Sequence, residues 1–144
     1  MMKVKFKRLS PQAIIPHQQH AYDAGYDVTS VEDKVIPAGK WVLIKTGLAV
    51  ELPAEMELQV RSRSGLAFKK GVFCLNAPGT VDAGYRNEIG VILANFGEED
   101  FQINVGDRIA QFIFQTPKHP EIAEVEELDE SDRGLGGFGS TGLK

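Results

Sequence analysis

Apolar residues along this chain come in short runs, cut by polar residues and turn signals, and no helical period persists for long. KVKFKRL, near the start, sets Val4 and Phe6 toward one side, with Leu9 beyond. WVLIKTGLAVEL (41–52) is dense in β-branched and large apolar types. MELQVRS (56–62), GVFCLN (71–76), EIGVILANF (88–96), FQINV (101–105) and RIAQFIFQ (108–115) follow the same manner. Turn signals fall between them at PAG (37–39), LPAE (52–55), FGEED (96–100) and NVGD (104–107). Short alternating runs bounded by turn residues predict strands. Only SGLAFKKG (64–71) has room for a helical turn or two. The pattern predicts an all-β fold, a jelly-roll barrel or sandwich. In EIAEVEEL (121–128), Ile122, Val125 and Leu128 recur every third residue. The segment is expected to be a final strand with an acidic outer side; an amphipathic helical turn is the alternative.

The pattern changes once more near the end. Residues 121–132 carry seven acids, and after Asp132 the chain turns to glycine: RGLGGFGSTG (133–142), then Leu143 and Lys144. Gly134, Gly136 and Gly139 fit the GxGxxG spacing of a dinucleotide loop. That loop must open a helix, whose N-terminus holds the phosphates, and the few residues after Gly139 cannot supply one. With only Leu135, Phe138 and Leu143 to bury, these twelve residues cannot offset the entropy of being ordered. The expected organisation is a β domain over 1–132 and a flexible glycine-rich arm over 133–144. As a terminus it could simply fray, but Arg133, Phe138, Ser140 and Thr141 together offer charge, a flat face and hydroxyls for an anion.

Bulk properties narrow the function classes. A chain of 144 residues is long enough for one domain with a substantial core. A net charge of −4 argues against a nucleic-acid binder, which normally presents a basic face. Cys74 is the single cysteine, so an intrachain disulfide and cysteine-built metal clusters are excluded. No apolar run reaches the length of a membrane span, and MMKVKFKRLS has no signal-peptide core. A cytoplasmic location is expected. The histidines (His17, His20, His119) show no metal-binding spacing, and neither a nucleophile elbow nor a P-loop occurs.

Four further stretches could carry chemistry. In AGYDVTS (24–30), Asp27 sits in an expected strand, where a carboxylate needs a partner or a nearby cation, or else caps its own turn. In VRSRSGLA (60–67), Arg61 and Arg63 share a side if the segment is extended. Arg63, Ser64 and Gly65 then read as a phosphate grip of bidentate cation, hydroxyl and open N–H, or as a charged edge strand. NAPGTVDAGYRNEIG (76–90) reads as a tight hairpin holding Asp82 and Tyr85 near its mouth. A carboxylate held there can polarise a water. In VGDRIAQFIFQ (105–115), Asp107 and Arg108 mark a turn with an ion pair nearby, and Gln111 lies in an apolar strand, where it needs partners. Cys74, in GVFCLN, reads as inert core.

Each signal is weak alone; their order is specific. AGYDVTS, RSRSGLAFKKG, NAPGTVDAGYRNEI, GDRIAQFIF and RGLGGFGSTG form an ordered set of five that closely resembles the trimeric dUTP diphosphatase family. The resemblance runs from about residue 24 to residue 142. It implies a β jelly roll assembled as a homotrimer, with each active site shared by three chains and the last motif arriving as a mobile arm. It implies hydrolysis of dUTP to dUMP and pyrophosphate with Mg²⁺, which limits uracil entry into DNA and supplies dUMP for dTMP synthesis.

Residue by residue, the resemblance makes Asp82 the general base, with Arg63 and Gln111 assisting at the phosphates. Ser64 and Gly65 join Arg63 in the cradle. Asn76 and the main chain near Gly90 read the uracil edge, and Thr80 and Val81 contact substrate beside them. Tyr85 excludes a ribose hydroxyl, Phe138 stacks on the base, and Arg133, Gly139, Ser140 and Thr141 close on the phosphates. Asp27 meets the metal only through water. The chain departs from the family pattern at Ser62, where proline is usual, and at Asn87, where glycine is usual. Both departures are expected to alter local loop geometry only. dCTP deaminase, which shares the fold, is the nearest rival, and the intact tail argues against it. A non-enzymatic jelly-roll module would have no reason to keep five polar motifs around one ligand.

Overall fold

A computed structural model describes residues 2–144. It contains eleven strands: β1 (Lys5–Arg8), β2 (Tyr26–Thr29), β3 (Lys34–Ile36), β4 (Trp41–Lys45), β5 (Leu48–Glu51), β6 (Glu57–Arg61), β7 (Val72–Cys74), β8 (Gly79–Val81), β9 (Gly90–Asn95), β10 (Phe101–Ile103) and β11 (Arg108–Gln115). One short helix, α1 (Ser64–Lys70), falls in the segment where a helical turn was expected. Every pairing is antiparallel, in a four-stranded sheet β2-β11-β6-β8, a three-stranded sheet β4-β9-β7 and the pairs β1-β5 and β3-β10. This is the all-β jelly roll that the short alternating runs predict. No helix among the described residues is long and apolar enough to cross a membrane.

Alternation decides which face of each strand is buried. In the four-stranded sheet, Tyr26, Phe112 and Val60 lie side by side, and Phe112 is fully buried. The adjacent row is polar: Asp27, Gln111 and Arg61. In the three-stranded sheet Ile44, Val91 and Leu93 face inward and are buried. Leu48, Leu58, Ile36, Ile103 and Ile109 complete one continuous core. Each such side chain contributes about 1.5–3 kcal/mol by leaving water. WVLIKTGLAVEL becomes two strands because Gly47 turns between them with φ +68°. Val31, Ala13 and Ser10 crowd the place where a Cβ would stand, so only glycine fits there.

Two expectations need correction. The segment 76–90 is not a hairpin. β8 pairs with β6, whereas β9 pairs with β4 and β7, so the chain crosses from one sheet to the other. Turn residues mark where a chain bends; the buried faces decide which strand it then joins. Residues 121–128 form neither strand nor helix, and Ile122 and Leu128 are almost fully exposed. Four glutamates leave this segment no apolar face to bury, and no edge of its own body pairs with it.

Candidate active site

The polar row of the four-stranded sheet anchors one cluster. Asp27 lies opposite Gln111 in the ladder, and Gln111 lies opposite Arg61. The Asp27 carboxylate does not cap its own turn. Its Oδ2 accepts from Gln19 Nε2 at 2.8 Å and from Arg108 Nη1 at 3.3 Å. The ion pair expected near Asp107 and Arg108 is therefore Arg108 with Asp27. Gln111 has the partner that its burial requires: its Nε2 donates to the Ser62 carbonyl at 3.0 Å. The Gln111 amide lies over Gly25, where a Cβ would collide with its Oε1. Gly25→Ala therefore pushes that amide aside. With Gln111 assisting at the phosphates, as the resemblance implies, its displacement costs up to about a hundredfold in rate, so activity should fall markedly while the melting temperature moves little. Melting and turnover measured on the same preparation check this.

Arg63 follows β6 in extended conformation, immediately before α1. Its Nη1 donates to the Arg108 carbonyl at 3.0 Å, leaving other guanidinium N–H groups open. Arg61 is not presented beside it; its guanidinium folds onto Gln59 Oε1 at 2.7–3.1 Å. Arg63 and Arg108 line a pocket of about 290 Å³ with Leu66, Phe101, Gly106 and Asp107. Ser64 and Gly65 begin α1 and are exposed. Ser62 does more than vary a loop. Its Oγ accepts the Cys74 N–H at 2.8 Å, tying β7 to the turn that carries Arg63. Burial pushes the Cys74 thiol up, which keeps it protonated and unreactive, as expected of core.

A second cluster follows β8. Thr80, Val81, Asp82, Tyr85, Ile89 and Gly90 line a pocket of about 230 Å³. The Asp82 carbonyl accepts the Tyr85 N–H at 3.0 Å, which bends the chain back over the pocket. The Tyr85 hydroxyl donates to the Glu88 carbonyl at 2.7 Å, fixing the ring. Glu88 is itself held, because its Oε2 accepts the Gly47 N–H at 2.9 Å. Asn87 accepts the Glu88 N–H at 2.8 Å through its side chain, and its backbone is not left-handed, so it needs no glycine. Asn76 is exposed on the loop before β8, with its Nδ2 close against Gly79. Among the described residues no donor is hydrogen-bonded to the Asp82 carboxylate.

The arm is the third piece. Its backbone hydrogen bonds reach no strand: Gly134 N donates to Ser131 O, just before the arm, and within it Gly136 N donates to Arg133 O, Ser140 N to Gly137 O and Gly142 N to Gly139 O, at 2.9–3.1 Å. Arg133 Nε turns back to the Gly136 carbonyl at 2.8 Å. Phe138, between two glycines, has φ +49° and a fully exposed ring. Arg133, Gly139, Ser140 and Thr141 are also exposed. The two pockets share no lining residue, and the arm lines neither. Within one chain the two pockets and the arm therefore stay separate. The sequence reading missed Gln19, Ser62 and Glu88 as support for these groups. Only the departure at Ser62 gave any signal.

Comparison with known proteins agrees with this geometry. The dUTPase family model matches residues 11–142. A deoxyuridine 5'-triphosphate nucleotidohydrolase of Clostridium acetobutylicum is 51% identical over 144 residues, covering 100% of this chain and 99% of the relative. One of Clostridium tetani is 53% identical over 139 residues, covering 96% of each. Among solved structures, the dUTPase of Staphylococcus bacteriophage 80alpha with dUPNHPP superposes with a TM-score of 0.91 at 31% identity, over 98% of this chain and 99% of that one. A mutant dUTPase from phage phi11 of S. aureus, described with a structural Mg(II) ion, gives 0.80 at 29% identity, over 87% of this chain and 97% of that one.

The family model and these relatives place this jelly roll among the nucleotide hydrolases. This chain belongs to the dUTPase family, whose reaction is the hydrolysis of dUTP to dUMP.

Proposed function

We propose that this protein converts dUTP and water to dUMP and pyrophosphate at a site assembled from three chains. One observation carries the reading: Asp82, whose carboxylate has no hydrogen-bond partner among the described residues, lines a pocket in which Tyr85 is fixed to Glu88 and Glu88 to Gly47. Asp82 takes a proton from the attacking water. The water oxygen bonds to the α-phosphorus, and the bond from phosphorus to the bridging oxygen toward the β-phosphate breaks, releasing pyrophosphate. Asn76 and the main chain at Gly90 recognise the uracil edge, where cytosine would place a donor against a donor. Tyr85, fixed through Glu88, closes the space a ribose 2′-hydroxyl would need. Thr80 and Val81 complete the wall. Arg63, Ser64, Gly65 and Gln111 hold the phosphates, and Arg133, Gly139, Ser140 and Thr141 cover them from the arm. Phe138 stacks on the base.

The donor set fits Mg²⁺. No group of three or more His, Cys, Asp or Glu side chains converges among the described residues, so the chain offers no all-protein cage. Mg²⁺ instead retains waters and binds substrate phosphates, and the Asp27 Oδ1, without a partner among the described residues, suits one of those waters. When bound, the ion neutralises charge developing on the phosphates.

Association between copies, as the homotrimer requires, is supported by the outer face of the three-stranded sheet. Trp41, Phe73 and Ala94 share one row, Leu43 and Ile92 the next, and Phe96 continues the face. Trp41, Leu43 and Phe96 are exposed, an apolar grouping of the kind that marks an interface. A cytoplasmic location suits the single reduced thiol. Mass-resolved size analysis, joined to pyrophosphate release from each deoxynucleoside and ribonucleoside triphosphate, tests the reading. The expected result is three copies and release from dUTP alone. Loss of ammonia from dCTP, or equal hydrolysis of UTP, overturns it.

A further inference from the structure

The loop from Pro16 to Asp23 belongs to none of the five motifs, yet it reaches the polar row of the sheet. It folds on itself: His20 N donates to Asp23 Oδ2 at 2.9 Å, and Gln18 Nε2 donates to the Asp23 carbonyl at 2.6 Å. A single antiparallel bridge then fastens it to β2, with Asp27 N donating to the His17 carbonyl at 2.9 Å. The result brings Gln19 beside Asp27. The Gln19 amide has two hydrogens and two neighbours for them: Asp27 Oδ2 at 2.8 Å and His17 Nε2 at 2.9 Å. Arg108 Nη1 reaches the same Oδ2 from the other side. Both donors converge on one carboxylate oxygen, which fixes the rotation of the group and leaves Oδ1 as its open acceptor.

We infer that Gln19 is a positioning residue for the metal-bound nucleotide: its amide, with Arg108, turns the Asp27 carboxylate so that Oδ1 faces the water shell of a divalent cation. The inference rests on the proposed role of Asp27. With its Nε2 unprotonated, the His17 imidazole accepts the second amide hydrogen and so sets the rotamer of Gln19. Because Gln19 is exposed, it contributes little to the core.

Two substitutions separate positioning from loop packing. Gln19→Ala removes the donor. Gln19→Glu keeps the shape but sets a carboxylate against Asp27 and competes for the Arg108 guanidinium, so it should be the worse of the two. The measurement is calorimetric binding of dUpNHpp, with and without Mg²⁺, alongside melting temperature. An exposed hydrogen bond of ordinary net strength predicts a roughly three- to tenfold loss of Mg²⁺-dependent affinity for Gln19→Ala and a larger loss for Gln19→Glu. Metal-free affinity and melting should match the parent. Equal Mg²⁺-dependent affinity in all three proteins overturns the inference, as does Gln19→Glu equalling the parent while Gln19→Ala fails. Asp27→Asn is the control for the underlying reading. If it too leaves Mg²⁺-dependent binding intact, the role of Asp27 itself is wrong; if it impairs that binding while both Gln19 variants do not, only the role of Gln19 falls.

Discussion

Asp82→Asn is expected to fold and bind dUTP as the parent does while its turnover collapses. General-base catalysis contributes about 10²–10⁴ in rate, and asparagine keeps the shape while losing the base. The side chain is exposed and has no structural partner among the described residues, so nothing in the fold depends on its charge. Single-turnover kinetics beside melting and dUpNHpp binding make the comparison. Retained turnover would remove Asp82 from its role, and a large fall in melting temperature would make the residue structural.

Removing the residues after Asp132 should have the second-largest effect. The last strand ends at Gln115, and among the described residues the arm's one hydrogen bond to what precedes it is Gly134 N to Ser131 O, which touches no strand. The truncated protein should therefore melt like the parent and keep its oligomeric state. Its turnover should drop by about a hundredfold, because the phosphate contacts from Arg133, Ser140 and Thr141 and the stacking of Phe138 go together. Full activity after truncation ends the idea of a lid. Unfolding after truncation would show that the arm holds the body together.

Legibility in the sequence followed the range of the interactions. Strands β6, β7, β9, β10 and β11 could be read because each shows its own alternation or apolar run. β3 could not: it is three residues, Lys34–Ile36, in a polar stretch, and becomes a strand by pairing with β10. The supposed hairpin at 76–90 failed for the same reason. Its turns are local, but the choice of β6 over a following strand belongs to the packed sheets. Candidate site residues could be named because each motif is local and their order is distinctive. The bonds that orient them were not. Arg63 to Arg108 spans 45 positions and Gln111 to Ser62 spans 49, and no local pattern encodes such distances. Gln19 reaches Asp27 across only eight positions, but through a loop whose path depends on its own side-chain bonds.

The exposed, self-contained arm has a consequence for how such a protein can change over time. Substitutions in the core of the sheets must first satisfy packing, since Phe112 or Leu58 cannot vary without leaving a void or a clash. A replacement at Phe138 or Ser140 meets no such test. With the role proposed for the arm, selection there acts through catalysis rather than packing, so the tail can be retuned for a different grip on the nucleotide while the barrel stays as it is.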